Sequence, residues 1–74
     1  MNVVVGNRQL QVTTVAVIGD QALYRSKSGA WLLASGERNE VQGVQHTYGL
    51  EQVEFIRQSE AEQWCRKHNA AMAY

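Results

Sequence analysis

Proline is missing from the 74-residue chain, cysteine and phenylalanine occur once each, and the charges cancel at seven basic and seven acidic residues. Each shortage excludes something. Without proline the chain lacks the usual punctuation of domain linkers, and it shows no internal repeat or low-complexity segment. Residues 1–74 therefore read as one domain, near the size where a single core leaves only a few kcal/mol of net stability. The lone Cys65 rules out an intrachain disulfide. Zero net charge leaves no overall field to draw the protein to nucleic acid or to an anionic membrane. No apolar run nears the roughly 20 residues of a membrane-spanning helix, and M-N-V-V-V-G-N-R has neither the basic n-region nor the apolar stretch of a signal peptide. The expectation is a soluble protein of a reducing cytoplasm, with no membrane contact. Bulky apolar side chains are scarce as well. Eight of the apolar residues are Ala and nine are Val, which favours a modestly packed sheet over a deep catalytic cleft.

What is present is organised around Leu23 to Leu33, L-Y-R-S-K-S-G-A-W-L-L. Lys27 and Ser28 suit the central positions of a type I turn, and Gly29 suits the left-handed bulge that completes a three-residue hairpin loop. That register sets Arg25 opposite Trp31, Tyr24 opposite Leu32 and Leu23 opposite Leu33. Alternation then gives one face to Leu23, Arg25, Trp31 and Leu33, and the other to Ala22, Tyr24, Leu32 and Ala34. Upstream, Val3 to Val5 reads as a short strand and residues 10–18 as a long one, with Leu10, Val12, Thr14, Ala16 and Ile18 on one side. Gly19-Asp20 is a turn signal, so residues 10–34 read as an antiparallel meander. From Ser35 to Gly49 glycines, amides and charges dominate, and an irregular connection is expected, with room for a short or edge strand between Val41 and Tyr48. Leu50 to Arg57 alternates like a last strand. Ser59-Glu60-Ala61-Glu62 then has the form of a capping box, followed by an apolar stripe of Ala61, Trp64, Cys65, His68 and Met72. Asn69 suits a left-handed helix end, and the alternative is a helix that runs on into A-A-M-A-Y and frays.

The predicted fold is α+β: an antiparallel sheet of four to six strands with one C-terminal amphipathic helix packed on one face. The helix stripe should meet Leu23, Leu33, Val53 and Phe55. One helix covers one face, so the Tyr24 and Leu32 face requires a second cover. Curling of the sheet into a partly closed barrel and pairing of two copies both supply it, and a homodimer is the preferred expectation.

Two stretches, A-L-Y-R-S-K-S-G-A-W-L-L and F-I-R-Q-S-E-A-E-Q-W-C, together resemble a set of small uncharacterised bacterial proteins. In these an L-Y-R-(S/T)-K-x-G-x-W-x-L hairpin precedes a strand and a capped helix opening S-x-x-E. The resemblance spans about a third of the chain, and its helix opening is offset here to S-E-A-E. It implies the order strand then helix and an association with accessory or mobile gene complements, and it carries no activity.

Candidate chemistry is sparse. Cys65 and His68 share a helical face, but a structural zinc site needs four ligands and a catalytic one usually three, and His46 is the only other histidine. Cys65 falls on the core stripe beside Trp64, where a thiol is inert. The expectation is no metal, no cofactor, no catalytic residue and no enzymatic activity. Arg25 facing Trp31, with Lys27 nearby, is a basic-aromatic cluster that can stack a base or grip a phosphate, or can close a core edge as a cation–π pair; the second reading is preferred. Arg38, His46 and Tyr48 would extend a binding surface if the 35–49 segment folds back. The function expected is a non-enzymatic protein-interaction module, using the Tyr24 and Leu32 face or that segment. Its rival is a nucleic-acid binder built on Arg25, Lys27 and Trp31.

Overall fold

The computed structural model describes residues 1–37, 39–41 and 45–70, with backbone alone at 39–41. Six strands of four or more residues form its sheet: β1 (Asn2–Val5), β2 (Arg8–Ile18), β3 (Gln21–Ser26), β4 (Trp31–Ser35), β6 (Gln45–Tyr48) and β7 (Val53–Ile56). The three-residue β5 (Asn39–Val41) is added at one edge, giving the order β5-β6-β1-β2-β3-β4-β7. Among the described residues one α-helix, α1 (Gln58–Lys67), follows β7. The architecture is α+β as expected, but the sheet is mixed, because β6 runs parallel to β1.

The β3–β4 hairpin has the register that its turn chemistry dictates. Arg25 pairs with Trp31, Tyr24 with Leu32 and Leu23 with Leu33. The Gly29 N–H donates to the Ser26 carbonyl across the turn, and Gly29 sits at φ +97°, where only glycine is unstrained. The Ser26 side chain folds over the loop, accepting from the Ala30 N–H at 2.9 Å. The 10–34 meander is present as β2, β3 and β4.

Chain length forces this sheet to coil. β6 and β7 lie five strand spacings apart in the sheet order, about 24 Å if it were flat. Only four residues connect them, three in a 3-10 turn (Leu50–Gln52), so the link spans no more than about 18 Å and in practice less. The sheet wraps round until β6 and β7 approach, without closing into a barrel. The same link sets the direction of β6. Arg8, opposite Val5 at the end of β1, has its guanidinium 5.8 Å from the Phe55 ring of β7. The Val5 end of β1 therefore lies beside β7, and β6 must run towards it, in the same sense as β1. A purely antiparallel order has no room for so short a link.

The bend is placed in β2. This strand pairs with β1 through Arg8–Gln11 and with β3 through Val12–Ile18, and its register shifts between Thr14 and Ala16. The extra residue, Val15, turns to the helix side, and a bulge of this kind sharpens the local bend and twist. It also overturns the strict alternation expected along β2: Leu10 and Val12 face the interior of the coil, whereas Val15, Ala16 and Ile18 face the helix.

Two packed layers result. Inside the coil lie Val3, Val5, Val12, Ala22, Tyr24, Leu32, Ala34 and Tyr48, with Val53 against them. Outside it, α1 lays Ala61, Trp64 and Cys65 on Leu23, Trp31, Leu33, Ile56 and Val15. Here the expected face of β7 is corrected. Val53 and Phe55 pair with Ala34 and Leu32 and so share the interior side, while Ile56, opposite Trp31, meets the helix. The helix also begins earlier than Ser59. Arg57 is the N-cap, Ala61 N–H donates to its carbonyl, and Glu60 Oε1 accepts from its N–H at 3.2 Å. Ser59 is left exposed as the second helical residue and the expected Ser59–Glu62 box does not form, because Ile56 is held in the ladder and Ala61 must reach the core within one turn. At the other end Asn69 is left-handed at φ +53°, with its N–H bonded to the Arg66 carbonyl and the Ala70 N–H to the Cys65 carbonyl, a Schellman stop.

Candidate functional site

Among the described residues singled out by sequence, those on strands fall on two opposite sides of the sheet and form no common site. Tyr24 and Leu32 are fully enclosed, at 0% exposure each, by the coil of a single chain. Of the two covers expected for this face, curling of the sheet is the one present, and the preferred pairing of copies is not needed. The curl supplies its cover, so neither a partner nor a second copy can reach it, and the argument for a homodimer through it lapses. Tyr48 is buried with them, and its hydroxyl lies 2.7 Å from that of Tyr24, joining β6 to β3 across the interior. His46 occupies the same side of β6 at 8% exposure, opposite Val3, and its Nδ1 is enclosed with no hydrogen-bond partner among the described side chains. Arg38 lies outside the described residues.

On the helix side the Arg25 guanidinium stacks 4.6 Å from the centre of the Trp31 ring. Trp31 is buried beneath α1, which leaves no ring face for a nucleic-acid base. The pair closes the edge of the core, the reading preferred from sequence. Lys27 projects at the hairpin tip beside an open cavity of about 260 Å³, whose other lining residues are Met1, Gln11, Val12 and Thr13.

Around α1 the polar contacts serve packing. The Trp64 indole N–H donates to Gln21 Oε1 at 3.2 Å, and the Gln21 amide in turn donates to Ser35 Oγ at 3.2 Å. His68 lies against Trp64, with ring centres 4.9 Å apart. Cys65 is buried, and burial raises its thiol pKa, so the nucleophilic thiolate is disfavoured. Among the described residues no group of three or more His, Cys, Asp or Glu side chains is placed to hold a metal ion. None of the helices described is long and apolar enough to cross a membrane.

The surface feature that sequence reading missed is at β7. Phe55 is 49% exposed, and Leu50, in the turn leading into that strand, is 70% exposed. Among the described residues β7 pairs only with β4, and no described strand lies along its other edge. Arg8, brought across from the start of β2, covers one side of the Phe55 ring. Residues 8 and 55 are distant in sequence, and only the coil joins them. The one available signal was that Phe55 and Ile56 cannot both face the helix.

No protein-family model, curated protein or solved structure matches this chain.

Proposed function

We propose that the protein is a non-enzymatic interaction module that docks another protein at the β7 edge of the described sheet. The observation that carries this reading is the half-exposed Phe55 on a strand whose outer edge pairs with no other described strand. A large aromatic side chain left at a surface in a chain with so few of them, with Leu50 also exposed in the turn before the strand, is the kind of anchor that interfaces use. The surfaces first expected to serve, Tyr24 with Leu32 and the Arg25, Lys27 and Trp31 cluster, contribute core packing instead, apart from Lys27.

Site-specific photocrosslinking tests the reading. A benzophenone amino acid placed at position 55 in cells of the native host should capture a discrete partner, and the same group at the exposed Gln9 of β2 should not. An absence of adducts at 55, or identical adducts at both positions, would count against an interface at β7.

A further inference from the structure

We infer that the β7 edge accepts an extended acidic segment of another protein, added as a short antiparallel strand beside Phe55. This rests on the interaction reading above and specifies its partner.

The backbone limits how such a segment can bind. The Val53 N–H turns back to the Leu50 carbonyl, and the Arg57 N–H is held by Glu60 Oε1. The Arg57 carbonyl is taken by Ala61. Both ends of the edge are thus closed. Antiparallel residues alternate between those bonded to the neighbouring strand and those turned away from it; the Ser26–Ala30 bond sets Leu32 towards β3 and Trp31 and Leu33 towards β7, so Glu54 and Ile56 face β4 while Val53 and Phe55 face outward. Phe55 is then the residue whose N–H and C=O together can form a two-bond pair with an added strand. One such pair is too little to bind any chain that passes, and selectivity falls to side chains.

Those side chains are cationic around an aromatic. The Arg8 guanidinium lies 5.8 Å from the Phe55 ring centre. Arg57, in extended conformation at φ −81° and ψ 159°, follows Phe55 by two residues and continues the same face. Glu54, opposite Leu33, belongs to the other face, whereas the Glu60 carboxylate that holds the Arg57 N–H lies beside Arg57, so Arg8 at the ring is the main source of the charge preference. An incoming strand that complements this pattern carries one apolar residue beside Phe55 and carboxylates two positions away on the same face. A second copy of this chain does not fit. A two-fold axis through Phe55 would stack the two rings but gather Arg8 and Arg57 of both copies on one face, with both Glu54 carboxylates on the other.

Two synthetic peptides test the inference, Thr-Glu-Thr-Leu-Thr-Glu-Thr and its counterpart with Lys for Glu, titrated into the full ¹⁵N-labelled chain. The acidic peptide should shift the Phe55 amide, slow its hydrogen exchange and bind at least about tenfold more tightly than the basic one. The Arg8→Glu, Arg57→Glu double variant should reverse that preference. Should the double variant lose its native spectrum, Arg57→Gln alone should weaken the acidic peptide and leave the basic one unchanged. Equal binding of the two peptides, a preference indifferent to these substitutions, or no response at Phe55 would overturn the acidic-strand assignment. Crosslinking at position 55 judges the interaction reading separately, since a captured partner without any charge preference keeps the module and removes the acidic strand.

Discussion

One face of the β3–β4 hairpin is covered by the helix that follows β7, the other by the sheet's own β1 and β6. Both faces are apolar, yet the means of covering them differ. The helix side is closed by one amphipathic element whose stripe, caps and dipole charges lie within a dozen residues of one another. The interior side is closed by small contributions from distant places: a bulge at Val15, a four-residue link after Tyr48, and the Gln52 side chain. That side chain accepts from the Gly49 N–H at 2.8 Å and donates to the carbonyls of Ser35 and Glu37. The difference teaches that a face without a matching helix need not be an interface; a sheet that coils far enough is its own cover.

This comparison is sharpened most by truncation on each side. Leu32→Ala removes a fully enclosed interior side chain and should cost about 3 kcal/mol, and Leu23→Ala on the helix side a similar amount, measured by urea unfolding followed through tryptophan fluorescence. If the layers fold as one unit, both variants lower the midpoint of a single transition; separate transitions would break the comparison. Next comes Gly36→Ala, which attacks the coil alone. Gly36 sits at φ +96°, and an added Cβ would meet the Gln52 amide nitrogen at 2.9 Å, so a loss of about 2 kcal/mol is expected from strain and a displaced clasp. Tyr24→Phe deletes the 2.7 Å hydroxyl bond across the interior and should cost about 1 kcal/mol with no change in fold.

A smaller effect isolates the helix side. Burial raises the Cys65 pKa, so the native state holds its proton at a pH where the unfolded chain has lost it. Its contribution is therefore complete below the ordinary thiol range and declines as pH rises above it. The unfolding midpoint should fall over that alkaline window in the wild type and fall less in Cys65→Ala, and native Cys65 should resist iodoacetamide until denatured. The smallest effect belongs to Phe55→Ala. With its ring half in solvent, stability should change by no more than about 0.5 kcal/mol, which keeps the variant usable as a binding probe.

How much was legible follows from the range of each signal. The hairpin register was readable because a turn of Lys27, Ser28 and Gly29 fixes every pair behind it. The Asn69 stop and the Ala61, Trp64 and Cys65 stripe were readable for the same local reason. Ser59 misled, since its capping signal is worth about 1 kcal/mol and yielded to the packing of Ile56 and Ala61. Phe55 was assigned to the wrong side because alternation along β7 does not say which set faces the helix; its pairing with Leu32 does. The candidate site was the least legible part, as Arg8 and Phe55 meet only when the ends of the sheet are brought together.

By itself, then, the sequence determined the strands outside 35–49, the hairpin and the helix, because turn chemistry, alternation and helical periodicity act over a few residues, whereas β5 and β6 fall where an irregular connection was expected. The tertiary structure alone decided that β6 lies parallel to β1, that Tyr24 and Leu32 are core, and that Phe55 is surface. Those outcomes depend on how a short link and a bulge bend the whole sheet, a constraint that couples residues forty positions apart and leaves no mark on any of them singly.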